Sequence, residues 1–176
     1  MKKLKVDLEE LALALDDTAY EHSHYLDLQT GELILLTEEV RRAVEEFPFE
    51  ENEEPEAQDR RFREWMEESG FREWEKELLP IALEVEGASD RYLYIQPRES
   101  REAYQVMVDF AETVEDEHLQ ELLCVALNGS GAFRRFKDVL YRDPEQQKRW
   151  YQFRDERQKA EAREWLEVHE IELLEE

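Results

Sequence analysis

The chain has 176 residues, of which 41% are hydrophobic and 40% are charged, and its formal net charge is -24. This length and apolar content suffice for one sizeable core, so we expect a single domain over residues 1–176. So large a negative charge disfavours nonspecific attraction of the whole molecule to nucleic acid or to anionic membranes.

The N-terminal part predicts a short helix followed by a β-hairpin. A capping-box pattern that begins at Asp7 and apolar residues at helical spacing predict a helix over 7–15. Further on, apolar and polar residues alternate on both sides of Gly31, which is a hairpin signal. A lone hairpin is only marginally stable, so we expect a third strand before Pro97. The predicted strands are 22–28, 32–37 and 92–95.

The middle of the chain predicts three helices around an acidic loop. Thr37 begins the first helix and Pro48 ends it. The self-repelling carboxylates of about 48–56 then indicate a solvated loop. In the third helix, Trp74 belongs to the apolar stripe, and Pro80 removes a backbone hydrogen bond and should kink or split the helix. The second and third helices are predicted at 57–68 and 72–87.

The C-terminal half predicts only helices. One begins near Ser100. The next carries leucines, including Leu122, on one face and stops at Gly129, and Ser130 then caps a helix that points Phe133, Phe136 and Leu140 inward. Asp143 and Pro144 form the best helix start in the chain. The helix that follows could run to Leu173, within an Arg-rich helical segment at about 131–174, and it either crosses solvent at its polar middle or breaks there.

These elements predict an α+β fold. A small antiparallel sheet, made of the hairpin plus one strand, would be covered by several helices, and the C-terminal half would be helical. The N-terminal residues have no apolar run typical of an export signal, and no stretch is apolar enough to span a membrane. The single Cys124 excludes an internal disulfide framework and a mainly thiolate zinc site. We therefore expect a cytoplasmic protein without a membrane anchor.

Three stretches together resemble a known family. They are HYLDLQTGEL near the N-terminus, RYLYIQP with the following SREAYQVMVDF, and GSGAFRRFKDVL. In this order they are similar to the bacterial uncharacterised protein family 0158, over about Val6 to Trp165. The resemblance implies a small soluble bacterial protein, and it supplies no activity, cofactor or catalytic residue to carry over. The acidic tract at Glu50–Glu56 has no counterpart in the pattern.

Two histidines could serve as metal ligands. His22 and His24 are two residues apart on a predicted strand, so their imidazoles share a face. Leu26 lies on the same face, which indicates burial. A metal needs a third or fourth ligand, which the sequence does not identify. We therefore interpret the two as structural or surface histidines and predict no metal site and no cofactor.

The turn before the Phe- and Arg-rich helix could hold an anion. Backbone N–H groups of Gly129, Ser130 and Gly131 would face it, one turn from Arg134 and Arg135. The Lys and hydroxyl residue of a nucleotide P-loop are missing, so a tight interhelical turn is the plainer alternative.

No residue is predicted to be catalytic. Cys124 lies in an apolar helix with no His near it in sequence, so a buried thiol is expected rather than a nucleophile. No nucleophile elbow is present. We therefore lean against an enzyme.

Positive charge is concentrated in one segment. Between Gly131 and Arg163 there are ten Lys or Arg and six Asp or Glu, a balance of +4, while the rest of the chain carries -28. Aromatic residues interleave with these cations, as in proteins that bind single-stranded nucleic acid. The cations could instead pair with the acidic part of the chain, within the molecule or across a homodimer, and helical aromatics are more often core.

These observations favour a non-enzymatic binding or regulatory protein that contacts an unidentified protein partner. Arg and aromatic residues dominate interface energetics, so they would be the anchors. The alternative is nucleic-acid binding by 131–163, which the net charge disfavours. The third hypothesis is a metal- or phosphate-dependent enzyme. The candidate binding residues are Gly129, Ser130, Gly131, Arg134, Arg135, Lys137 and Trp150.

Overall fold

The computed structural model describes residues 2–174, which contain eight helices and five strands. In chain order these are β1 (Lys2–Leu4), α1 (Leu8–Asp16), β2 (His22–Asp27), β3 (Leu33–Thr37), α2 (Glu38–Glu45), α3 (Pro55–Glu68), α4 (Glu73–Glu86), β4 (Tyr92–Ile95), α5 (Ser100–Glu112), α6 (Glu117–Ala126), α7 (Ala132–Tyr141), α8 (Pro144–Val168) and β5 (Ile171–Leu173). The α+β prediction is confirmed. None of the helices in these residues is long and apolar enough to cross a membrane.

The chain divides into two compact units. The helical unit comprises Leu8–Asp16 and Pro97–Leu173, with the first residues of the chain. The sheet unit comprises Leu4–Asp7 and Asp17–Gln96, with the residue that follows β5. The single domain over 1–176 stays a prediction.

The core of the helical unit is built from α5, α6, α7 and α8. Phe110, Phe136 and Trp150 meet edge to face with ring centroids 4.9 to 6.2 Å apart. Aromatic pairs in this geometry stabilise a core beyond the area that they bury. The buried residues of this core are Val106, Met107, Phe110, Ala111, Val114, Leu123, Leu127, Phe136, Leu140 and Trp150.

The sheet unit contains a three-stranded antiparallel sheet in the order β3-β2-β4. The central strand β2 pairs His24 with Leu35 of β3 and with Ile95 of β4. All three predicted strands are therefore confirmed, within one residue at their ends. The sheet's helices α2, α3 and α4 bury Leu36, Val40, Val44, Phe47, Phe62, Met66, Leu79 and Ala82.

The hairpin turn between β2 and β3 requires glycine. Gly31 has a φ of 81°, in the left-handed region. A Cβ atom built there would lie 2.2 Å from the Lys5 carbonyl oxygen. The turn can therefore approach the backbone of the N-terminal segment only with glycine at this position.

An ion pair with a buried carboxylate closes the same end of the sheet. Asp27 is 2% exposed and accepts hydrogen bonds from the Arg91 guanidinium, the shortest of them 2.7 Å. Its Oδ1 also accepts the backbone N–H of Gln29. Burial raises the pKa of Asp27, but these hydrogen bonds and the positive charge of Arg91 together outweigh that effect. The pKa of Asp27 therefore lies below its ordinary value.

Two predicted caps are confirmed by their hydrogen bonds. The Thr37 hydroxyl accepts the backbone N–H of Val40 at the start of α2. The Asp143 carboxylate accepts the N–H of Gln146 at the start of α8, where Pro144 is the first helical residue. Each cap satisfies one of the donors that a helix start leaves free.

The prediction that Ser130 caps α7 is wrong. Gly131 is the capping residue, with a φ of 75°, and no side chain caps the free N–H groups at this helix start. Gly129 also has a positive φ, of 80°. Two left-handed glycines thus make a link so tight that Ser130 lies one position outside the cap.

The predicted ends and continuity of two helices need correction. Helix α4 is not split at Pro80. Pro80 is exposed, so water can reach the carbonyl that lacks its donor. Helix α8 ends at Val168 rather than at Leu173. Glu170 takes a φ of 57°, and the chain then forms β5, which pairs parallel to β1. Neither short strand was predicted.

Four side chains predicted to be buried are exposed. Cys124 of α6 is exposed rather than a buried thiol. Leu122, Trp74 and Phe133 are also exposed, although their spacing placed each on an apolar face. The helical stripe in each case is narrower than the run of apolar residues, and the core is filled by Leu123, Leu79 and Phe136 instead.

Candidate functional site

The outer face of α7 carries exposed rings next to cations. Phe133, Lys137 and Tyr141 follow one another at four-residue steps, and Arg134 lies seven residues before Tyr141, so all four share one side of the helix. Phe133 is 43% exposed and Tyr141 is 77% exposed. The opposite side buries Phe136 and Leu140. We call Phe133, Arg134, Lys137 and Tyr141 the α7 face.

The cations of the α7 face have little internal compensation. The Arg134 side chain is 89% exposed, and its one carboxylate neighbour among the described residues is Asp138, 3.9 Å away and itself exposed. Such an exposed pair is worth little, since water and salt screen it. Lys137 forms no ion pair within residues 2–174. Positive charge on this face is therefore free to meet another molecule.

Arg135, although next in sequence, has a different role. Its guanidinium donates a hydrogen bond to the backbone carbonyl of Asn128, and its own N–H bonds the Gly131 carbonyl. It therefore closes the turn between α6 and α7. We retain Gly129, Ser130 and Gly131 as the turn that places the α7 face, and Arg135 as the residue that holds this turn.

Trp150 is not placed with the other candidate binding residues. It lies in the core of the helical unit, 5% exposed, against Phe110 and Phe136. Its ring cannot stack on a ligand without unfolding of this core. Among the cations of the predicted candidates, Arg134 and Lys137 thus have exposed side chains without a strong partner in the described residues, since Arg134 has only the weak contact with Asp138.

Two cations of α8 form ion pairs inside the helical unit. Arg157 donates to Asp109 of α5 at 2.8 Å, and Lys159 pairs with Glu9 of α1 at 2.9 Å and with Asp155 at 3.2 Å. These contacts explain why the polar middle of α8 remains helical. Internal pairing, one alternative for the basic segment, therefore applies to these cations of α8 and not to those of the α7 face.

A second candidate site lies in the sheet unit. Asp17 follows α1, and its Oδ2 is 2.6 Å from Nδ1 of His22 and 2.7 Å from Nε2 of His24. The two imidazoles leave the same side of β2, as their spacing predicted. One ligand atom from each of the three residues lies within 4.8 Å of the others. We call Asp17, His22 and His24 the His–Asp cluster.

The carboxylate of the cluster is held in a fixed orientation. Its Oδ1 accepts the backbone N–H of Ala19 at 3.0 Å, which turns Oδ2 toward the two imidazoles. Burial raises the pKa of Asp17, but hydrogen bonds from His24, His22 and Ala19 outweigh it and lower the pKa to about 2. Asp17 is therefore ionised at neutral pH.

Sequence reasoning missed Asp17. It named the two histidines but lacked a third ligand, because Asp17 belongs to the connection after α1, five residues before His22. The run Asp16–Asp17 directly after a helix was the available signal. The distance between Asp17 and β2 depends on the path of that connection, which the spacing of residues in the sequence does not specify.

The cluster is partly exposed, and one of its residues borders a cleft. The side chains of Asp17, His22 and His24 are 24%, 35% and 15% exposed, so His24 is the innermost. His22 also lines an open cleft of about 630 Å³ together with Glu21 and Glu38. Water can therefore reach His22 and Asp17 more easily than His24.

Comparison with known proteins places the chain in a family. The model of the Uncharacterised protein family (UPF0158) matches residues 68–176, more than half of the chain. The chain belongs to this family. The matched range includes RYLYIQP and GSGAFRRFKDVL, so the resemblance inferred from these stretches is confirmed. The α7 face lies within the match, whereas the His–Asp cluster precedes it.

A curated relative extends the similarity of this UPF0158 member over nearly the whole chain. It is the "UPF0158 protein PA5073" of Pseudomonas aeruginosa, 29% identical over 171 residues, which cover 97% of this chain and 87% of the relative. The aligned length therefore takes in most of the segment that precedes the family match. No solved structure matches the chain.

Proposed function

We propose that this UPF0158 protein is a binding protein that contacts a protein partner through the α7 face. The observation that carries the proposal is the combination of exposed Phe133 and Tyr141 with the cations of Arg134 and Lys137 on one side of α7. Large exposed rings beside Arg are typical anchors of protein interfaces. The buried side of the same helix fixes the geometry of this surface.

Charge indicates the chemistry of the partner. Lys137, which has no ion pair within residues 2–174, and Arg134, whose one ion pair is weak, both gain from a partner that supplies carboxylates. We therefore expect acidic groups around an apolar contact area. Nucleic acid would also supply negative charge. The net charge of -24 disfavours it, because a long polyanion would also meet the field of the whole molecule.

Exposed apolar side chains also occur on α6 of the helical unit. Leu122 and Val125 are exposed and lie three residues apart on one side of α6, the helix that precedes the turn and packs against α7. A partner that covered them would remove apolar area from water, which favours association. The helical unit therefore exposes rings and cations on α7 and aliphatic side chains on α6.

Site-specific photocrosslinking tests this proposal. A photoreactive phenylalanine analogue would replace Phe133, and in a matched control it would replace Tyr20, an exposed ring of the sheet unit. We expect one discrete, nuclease-resistant protein adduct from position 133 in host cells and none from position 20. Arg134→Glu with Lys137→Glu should abolish the adduct while the protein stays folded.

Two outcomes would contradict the proposal. Equal adducts from both positions would mean that crosslinking reports exposure rather than a docking surface. An adduct at position 133 that disappears with nuclease, and whose formation falls steeply with salt, would instead assign the α7 face to nucleic acid.

A further inference from the structure

The His–Asp cluster is a site of a second kind, and it makes no use of the α7 face. We infer that Asp17, His22 and His24 bind a divalent transition-metal ion of the Zn²⁺ class, with at least one coordination position left for water or another ligand. The inference starts from the atoms that the fold brings together: two imidazole nitrogens and one carboxylate oxygen within 4.8 Å of one another. Three protein ligands of this kind with an open position are typical of catalytic rather than structural zinc sites.

The two distances from the carboxylate oxygen need only a small adjustment to admit a metal. Ligands about 2.0–2.1 Å from a tetrahedral ion lie ~3.3 Å from one another. The two imidazole nitrogens are now 2.6 Å and 2.7 Å from Asp17 Oδ2. The carboxylate oxygen and the rings therefore have to separate by about 0.6 Å, which side-chain rotation can supply.

The protonation chemistry is compatible with this exchange. In the present geometry Nδ1 of His22 and Nε2 of His24 donate to the carboxylate. To bind a metal, each neutral imidazole carries its proton on the other ring nitrogen and turns a lone pair toward the ion. An aspartate carboxylate has an ordinary pKa of about 3.9 and is ionised at neutral pH in either arrangement. The metal thus replaces two hydrogen bonds by ligand bonds and leaves the carboxylate compensated.

The backbone holds all three ligands before any ion arrives. His24 lies on the central strand, paired with Leu35 and Ile95 on its two sides. The Asp17 carboxylate accepts the backbone N–H of Ala19. The backbone carbonyl of Ala19 in turn accepts the N–H of His22 at 3.1 Å. A site built on paired strands in this way loses little conformational entropy when it binds an ion.

The ligand set selects among cations. Imidazole nitrogen suits Zn²⁺, Fe²⁺, Co²⁺, Ni²⁺ and Cu²⁺, whereas Mg²⁺ and Ca²⁺ prefer sites made of oxygen alone. This difference matters because the chain has 47 Asp and Glu, which attract any divalent cation weakly. Binding at the cluster has to survive an excess of Mg²⁺, and binding to scattered carboxylates does not.

Calorimetric titration of the full chain with Zn²⁺ in excess Mg²⁺ tests the inference. We expect one equivalent to bind, with a dissociation constant in the micromolar range or tighter. His24→Gln and Asp17→Asn should each weaken binding at least about tenfold. His118→Gln, which changes an exposed histidine of α6, is the matched control and should leave affinity unchanged.

A spectroscopic readout keeps the test independent of the variants. One equivalent of Co²⁺ added to the unaltered protein should produce visible absorption bands of four- or five-coordinate cobalt. Absence of these bands, or Zn²⁺ binding that Mg²⁺ abolishes or that His24→Gln leaves unchanged, would overturn the inference. The cluster would then be a hydrogen-bonded clasp only.

Discussion

Charged side chains near strand β2 and on the outer side of helix α7 differ in how many partners they have. Along β2 and just before it, the carboxylates of Asp17 and Asp27 each hold two or more fixed hydrogen-bond donors. Along the outer side of α7, Arg134 has one weak contact and Lys137 has no ion pair within residues 2–174. The carboxylates near β2 thus already have their hydrogen-bond partners, whereas the cations of the α7 face have no strong partner in the described residues.

This difference separates two kinds of recognition. A preassembled cluster with short distances suits a small ligand, because little reorganisation is needed. An open face of rings and cations suits a large partner, since its energy comes from area and from charges supplied by the other side. Each of the following predictions tests one half of that contrast.

The largest expected effect distinguishes the two sides of α7. Phe136→Ala removes a fully buried ring from the core and should destabilise the protein by about 3–5 kcal/mol. Phe133→Ala changes an exposed ring of the same helix and should shift stability by no more than about 0.5 kcal/mol. Urea unfolding of both variants measures the difference. Similar losses for both would mean that the α7 face is part of the core.

The next effect concerns the hairpin that positions β2. Gly31→Ala forces a Cβ against the Lys5 carbonyl and strains a left-handed residue, so we expect a loss of about 3 kcal/mol. Gly70→Ala is the matched control, with a φ of 71° but no atom within 4 Å. It should cost only the backbone strain, about 1–2 kcal/mol. Equal losses in thermal or urea unfolding would show that the turn yields to the methyl group.

A smaller effect should appear at acid pH. The lowered pKa of Asp27 means that its stabilising contribution is present above the unfolded-state pKa of about 3.9 and is lost as pH falls through the lower folded-state value. Thermal unfolding should therefore show that the protein loses stability as the pH is lowered below about 4. In Asp27→Asn that fall should be shallower, because the carboxyl that takes up the proton is absent. An unchanged pH profile would contradict the assignment.

The smallest effect is expected on the α7 face. Arg134→Glu with Lys137→Glu should change unfolding free energy by no more than about 0.5 kcal/mol, because neither side chain has a strong internal partner. Lys159→Glu is the matched control on α8. It replaces pairs with Glu9 and Asp155 by repulsion and should destabilise more. The reverse order in urea unfolding would remove the distinction between the two helices.

Much of the fold followed from local signals. The hairpin was predicted by alternation around a glycine, and the starts of α2 and α8 by capping residues that act within three positions. The pairing of β1 with β5 was not predictable in this way, because three-residue strands have no periodicity and their partner lies at the other end of the chain. Long-range pairing depends on packing rather than on local preference.

The candidate sites show the same limit. Helical spacing put Phe133 inward, since it does not tell which of several apolar residues the core has room for. Whether Lys137 has a carboxylate partner depends on the path of every other charged segment, which its helical spacing does not specify. Asp17 escaped notice for a related reason, because a connection of five residues can take many courses before it meets a strand.

The single exposed thiol of this chain offers a practical route to the partner. Cys124 lies on α6, in the same unit as the α7 face, and the sequence contains no second cysteine. A maleimide fluorophore would therefore attach at one known position without any substitution. Its anisotropy would rise when a macromolecule docks nearby, and that signal gives affinity and stoichiometry directly from the unaltered sequence.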